Sequence, residues 1–221
     1  MAKFQIREIP HLAIIGMGKS VYQWIVSNYA DIQDCEVWTL NMGSAIFRHD
    51  VVFDMHEDEY LVGDKAAPRI DKRREWLKKH DKPIIMPKAL SDFPTSLTYP
   101  LREVIEGTGS TYFSTGVAYM LALAYMCKVR QLKLFGIDFS YDRSLATHNE
   151  PGQKCCEYWT GRIQERGCNV ELPNDTHFMD MHHRTTKATI YGYAKPLEFD
   201  YPIVNGKPQG QGKFIGPDYA D

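Results

Sequence analysis

Residues 11–20 read His-Leu-Ala-Ile-Ile-Gly-Met-Gly-Lys-Ser, and the fold class turns on them. Leu12, Ala13, Ile14 and Ile15 make a short apolar run with no polar alternation, the pattern of a strand covered on both faces, and Gly16 stops it. Residues 21–29 then carry apolar side chains at helical spacing, so the segment is strand, tight turn, helix.

Working outward, residues 36–40 (EVWTL) predict a second strand ending at Asn41, and residues 51–55 (VVFDM) a short third one. Residues 65–80 hold Arg69, Lys72, Arg73, Arg74, Lys78 and Lys79 and predict an exposed helix with a solvated charged face, before a strand at 83–86. Residues 91–100 contain two prolines and several Ser and Thr, which predicts a loop able to move over a site. An apolar helix at 115–128 leads into a strand at 131–135. A second long helix at 152–167, stopped by Gly167, leads into a strand at 169–172. Such alternation implies an α/β protein: Rossmann-like, with a mostly parallel sheet and helices on both faces. Residues 1–198 are read as one nucleotide-binding domain and residues 199–221 as a Gly/Pro-rich C-terminal tail.

The chain of 221 residues is 43% hydrophobic, enough for a sizeable core. With 26 Lys and Arg against 28 Asp and Glu, a net charge of −2 gives no electrostatic reason to expect nucleic acid or an anionic membrane as partner. A phosphate-bearing partner has to be held locally. No apolar stretch approaches the roughly 20 residues of a spanning helix, and the N-terminus lacks the apolar core of a secretory signal, so a cytoplasmic protein is expected. Five scattered cysteines, an odd number, predict reduced structural thiols. Association into a homo-oligomer stays open.

The chemistry-bearing residues gather at turns and strand ends. Gly16 and Gly18 let the backbone approach a ligand, Lys19 adds charge, and Ser20 either caps the next helix or faces the ligand. The third glycine of a dinucleotide fingerprint and the spacing of a Walker loop are both absent, so an ordinary structural turn competes with a binding turn. Ligands of parallel α/β sheets bind beyond the carboxyl ends of the strands. Asn41, Asp54, His56, Asp138 and Asn174 fall at such ends, although Asn and Asp also favour turns for local reasons. Ser114, Thr115 and Gly116 open the apolar helix as an N-cap or as a second polar cluster. His148 stands in a polar loop before the second long helix, as a proton acceptor or as an ordinary surface residue. His177, Asp180, His182 and His183, with His56 and Glu57, are close in sequence but lack a metal-binding spacing; no metal site is assigned.

Four blocks, AIIGMGKS, WTLNMGSAIFRHDVVFDMH, STGVAYMLALAYMCKVRQLKLFGIDFSYD and HNEPGQKCCEYWTGRIQERGCNVELPND, together resemble a Rossmann-like transferase superfamily. That superfamily includes bacterial sialyltransferases using CMP-sialic acid and archaeal hydroxymethylpterin pyrophosphokinase. The chain also resembles uncharacterised proteins of tailed bacteriophages, for which the host cytoplasm would be the location. The likeness runs over about residues 12–176. It implies a nucleotide or nucleotide-sugar ligand held by Gly16, Gly18, Lys19, Ser20, Asn41, Ser114, Thr115, Gly116 and Asn174, and His148 as general base of glycosyl transfer. In that family a tyrosine after the Gly-Ile-Asp-Phe unit assists the leaving phosphate. Here Ser140 stands nearest and Tyr141 one place later, a departure from the pattern. From the pterin enzymes comes the expectation of Mg²⁺ on carboxylates such as Asp54 and Asp138. Three functions follow: a nucleotide-dependent transferase, a non-catalytic nucleotide-binding or phage assembly protein, and a metal-dependent phosphotransferase or hydrolase.

Overall fold

In a computed structural model the described residues are 2–26, 33–56, 68–139, 146–173, 176, 178 and 179, with four two-residue strands between 198 and 215; at 68–72, 146–150 and in those four strands the backbone alone is followed. Strand β1 (His11–Ile15) is buried from Leu12 onward, because a parallel neighbour lies along each of its edges. On one side is β2 (Glu36–Leu40) and on the other β6 (Gln131–Phe135). Beyond β2 come β3 (Val51–Phe53), β4 (Ile84–Met86) and β5 (Ser96–Thr98), and beyond β6 comes β7 (Asn169–Glu171). The result is a seven-stranded sheet of order β5-β4-β3-β2-β1-β6-β7, parallel throughout.

Alternation along the strands divides the apolar residues between two faces. On one, Ala13, Ile15 and Val37 pack with Trp24 of α1 (Val21–Val26), while Val52, Ile84 and Met86 pack with Leu77 of α2 (Pro68–Lys78). Leu40 emerges on the other face, where a Cβ added to Gly116 would sit 3.7 Å from its Cδ1. Gly116 opens α4 (Gly116–Met126), which follows α3 (Leu101–Thr108) and is apolar around its whole circumference. Such a helix must be covered on all sides. It packs against α5 (Ala146–Glu165) as well as the sheet. Helices therefore lie on both faces, as the sequence pattern requires.

Three expectations change. The stretch at 91–100 is no mobile loop over a site: between its prolines, Ser96–Thr98 pairs with β4 as the edge strand. Proline suits an edge, and the open side is covered by the N-terminal segment, with Phe4 N–H donating to Thr98 O at 3.1 Å and Thr98 N–H to Ala2 O at 3.0 Å. Helix α2 is not merely a solvated face, since Leu77 is fully buried and Arg73 turns inward. Helix α5 starts at Ala146, so His148 lies in its first turn rather than in a preceding loop.

The chain divides into two units, Met1–Phe178 and Met179–Asp221. In the second, β8 (Glu198–Phe199) pairs antiparallel with β11 (Phe214–Ile215), and β9 (Ile203–Val204) with β10 (Lys207–Pro208). No helix among the described residues is long and apolar enough to cross a membrane. All five cysteines are buried free thiols.

Candidate functional site

The sheet register assembles the site. Ile15 pairs with both Thr39 and Phe135, and Leu40 pairs with Phe53. The chain therefore leaves β1, β2, β6 and β3 at one carboxyl edge with Gly16, Asn41, Gly136 and Asp54, where open α/β sheets take their ligands.

The glycine turn is tied to the loop after β6. Gly16 N–H donates to Phe135 O at 2.7 Å and Gly18 N–H to Gly136 O at 2.9 Å. A Cβ at Gly18 would stand 2.5 Å from Asp138 Oδ2 and 2.8 Å from Gly136 O, and one at Gly16 would meet the Gly136 carbonyl. Gly136 itself has φ 66°, a left-handed conformation glycine adopts without penalty. The two loops touch backbone to backbone, so these glycines serve close approach between loops.

Ser20 and Asp138 complete that union. Ser20 N–H donates to Asp138 Oδ2 at 2.7 Å, the Ser20 hydroxyl donates to Asp138 Oδ1, and Gly136 N–H donates to Ser20 Oγ at 2.9 Å. Both side chains are buried, Ser20 at 1% and Asp138 at 3% exposure. The Ser20 hydroxyl is thus engaged on both sides within the buried junction of the two loops. Lys19 is exposed.

Above this union lies a cavity of about 140 Å³, lined by Gly16, Met17, Leu40, Asn41, Val117 and the loop residues 136–139. It is close to the roughly 150 Å³ that suffices for one six-membered ring in a protein interior. Two of its walls are strained: Asn41 has φ 52° and Phe139 φ 49°. Asparagine tolerates the left-handed region, but a bulky phenylalanine there is a conformation proteins keep chiefly at functional positions.

Beside the cavity is a group that residue patterns alone do not expose. Arg73 of α2 reaches Asn41 Oδ1 at 3.3 Å and forms an ion pair with Asp54 Oδ2. The other carboxylate oxygen, Asp54 Oδ1, is 2.7 Å from His56 Nδ1. Asp54 is fully buried. Arg73 Nε is buried too and has no hydrogen-bond partner among the described residues. Such a donor is uncommon in a buried position, and Arg74 Nε of the same helix is another. The sequence signal for Arg73 was masked by the five other basic residues around it.

Of the other expected residues, Thr115 is the N-cap of α4, its Oγ1 accepting from Ala118 N–H at 3.2 Å. Ser114 donates to Pro151 O at 3.2 Å, towards α5. Gly116 stays near the cavity through Leu40, and Val117 lines it. The side chain of His148, together with Tyr141, Asn174, Glu57, His177, Asp180, His182 and His183, lies outside the described residues. Among the described residues no three His, Cys, Asp or Glu side chains converge as a metal site. Mg²⁺ does not fit the two carboxylates proposed for it: Asp54 already faces the Arg73 cation, and Asp138 is closed on Ser20.

A larger hollow of about 400 Å³ lies at the opposite edge of the sheet, lined by Tyr125, Lys128, Arg130, Ile163 and Arg166 among others. Its cations stand where α4 and α5 end, and helix C-termini attract positive charge on their own account. Arg166 lies 3.4 Å from the centre of the Tyr125 ring. A left-handed residue lines each hollow, Lys128 with φ 53° here, so register, which puts several strand ends at the carboxyl edge, is what favours that edge.

Fold and site together define a parallel α/β protein with a ring-sized cavity at its strand ends. No family model matches the chain, and no curated protein matches it. Among solved structures, the sialyltransferase CstII from Campylobacter jejuni in complex with the substrate analogue CMP-3FNeuAc is similar over 75% of this chain and 80% of that one, at 15% identity and a TM-score of 0.45. The α-2,3-sialyltransferase from Campylobacter jejuni in apo form is similar over 80% of this chain and 81% of that one, at 16% identity and the same TM-score of 0.45. Likeness at this level transfers no activity.

Proposed function

We propose that the protein is a nucleotide-binding transferase that moves a glycosyl group from a nucleotide sugar, with the base ring seated in the strand-end cavity. The observation carrying this reading is the cavity of about 140 Å³, bounded by Asn41 and Phe139 in strained backbone conformations. Its size suits one pyrimidine-like ring. Leu40, Val117 and Phe139 supply apolar walls, and Asn41 supplies polar contacts at the rim. The buried Arg73 Nε adds a donor suited to an anionic oxygen nearby. Lys19, Gly116 and Asn174 belong to the same reading as outer contacts. His148 in the first turn of α5 is the base that the sequence resemblance puts forward.

Calorimetric titration of the full chain with CMP, ATP and CMP-sialic acid tests it. CMP or CMP-sialic acid is expected to bind, and Asn41→Ala to weaken binding at least tenfold with the fold intact by circular dichroism. Absence of heat at millimolar concentrations of all three ligands would end the reading.

A further inference from the structure

We propose that the hollow at the opposite edge of the sheet is a second binding site, for a small phosphate monoester with an apolar body. It stands independently of the nucleotide reading above. The hollow measures about 400 Å³, within the roughly 300–1,000 Å³ of small-molecule sites.

Two helix ends frame it. After α4, Val129 N–H donates to Ala124 O at 3.4 Å and Lys128 N–H to Tyr125 O at 3.2 Å. After α5, Cys168 N–H donates to Ile163 O at 3.4 Å and Gly167 N–H to Gln164 O at 2.8 Å. Both are Schellman caps, with Lys128 at φ 53° and Gly167 at φ 83° in the left-handed position. The residues that follow these turns, Val129 and Cys168, join Tyr125 and Ile163 as a buried, mainly apolar floor.

The rim is basic: Lys128, Arg130 and Arg166 line the hollow and are exposed. Attraction to helix ends accounts for Lys128 and Arg166. It does not account for Arg130, which stands outside both helices, one residue before β6. The guanidinium carbon of Arg166 lies 3.4 Å from the centre of the Tyr125 ring, which holds that cation over the floor. Glu8 pairs with Lys128 at 2.8 Å, whereas neither Arg130 nor Arg166 pairs with a carboxylate among the described residues. Two guanidinium groups therefore remain, each able to donate parallel N–H bonds to anionic oxygens. A phosphate monoester carries about −1.5 to −2 at pH 7 and matches both charges, while a carboxylate matches one. The floor favours an ester of a ring or short hydrocarbon over one with a polar body.

Amide NMR of the isotope-labelled full chain, titrated with phenyl phosphate, tests the site. Saturable shifts are expected at Lys128, Arg130, Ile163 and Gly167, with Asn41 and Val117 unmoved. Inorganic phosphate and benzyl alcohol each keep one half of the ligand and should bind about tenfold more weakly or worse. Arg130→Gln and Arg166→Gln should each weaken phenyl phosphate about tenfold, with circular dichroism unchanged. Arg102→Gln, on the exposed side of α3, should match the parent. Inorganic phosphate or benzyl alcohol binding as tightly as phenyl phosphate would overturn the proposal, as would parent-like affinity in both arginine variants. Absence of saturable shifts at millimolar phenyl phosphate, or shifts at the strand ends alone, would overturn it too. CMP binding to the strand-end cavity is a separate titration, and its outcome stands whichever result is found here.

Discussion

Replacing Ser20 by alanine isolates the junction on which the site is built. The hydroxyl accepts from Gly136 N–H at 2.9 Å and donates to Asp138 Oδ1. Alanine keeps the Cβ and removes both bonds, leaving a buried N–H and one carboxylate oxygen unmet. An orphaned buried polar group costs about 1–3 kcal/mol, and the N–H of residue 20 still donates to Asp138 Oδ2, which limits the second loss. The expected destabilisation is roughly 2–4 kcal/mol, large against the 5–15 kcal/mol of a typical domain. In urea, with a slope of about 2 kcal/mol/M, the midpoint should fall by roughly 1–2 M. A cycle with Asp138→Ala should show the two losses to be far from additive, because they share one contact. A loss below about 0.5 kcal/mol would refute the account of Ser20 as the tie between the two loops.

Two more outcomes follow from buried titratable groups. His49 Nε2 lies 3.2 Å from His80 Nε2, and His80 stacks on Trp76 with ring centres 4.4 Å apart. Burial pushes both imidazoles below their ordinary range, and the His49 charge and Lys82 lower His80 further. Both folded pKa values are depressed, so this stability is fully present above about pH 6.5, the unfolded value, and is lost as pH falls through the lower folded values. Thermal melts between pH 8 and pH 5 should show the loss, and His80→Gln should flatten it. An unchanged pH profile in that variant would contradict the pairing. Burial also raises the Cys127 thiol to about 11 and the Cys156 thiol to about 12. Both should resist alkylation by iodoacetamide at pH 8 until urea unfolds the chain. Rapid labelling of the folded protein would contradict their burial.

The parallel sheet was legible because β1 and β2 are apolar on both faces and each helix-to-strand sequence has a strong local period. Edge strand β5 was not, since Ser96-Leu97-Thr98 between prolines looks like a loop until β4 and the N-terminal segment pair with it. Helix α3 had a readable signal: Leu101, Val104 and Ile105 at helical spacing, ended by Gly109 at φ 65°. The start of α5 was obscured by Pro151, a residue usually read as a boundary. At the site, register could be inferred for Gly16 and Asn41. The inward turn of Ser20 onto Asp138, 118 positions away, and the reach of Arg73 to Asp54 could not. Those contacts depend on how separate segments meet in space, which local pattern does not encode.

The most direct measurement of the central claim is an amide NMR titration of the isotope-labelled full chain with CMP. Binding at the strand ends predicts progressive shifts at Gly16, Met17, Asn41, Val117 and Phe139, the residues around the 140 Å³ cavity. Shifts confined to Lys128, Arg130 and Arg166 at the opposite edge, or none at millimolar CMP, would contradict it.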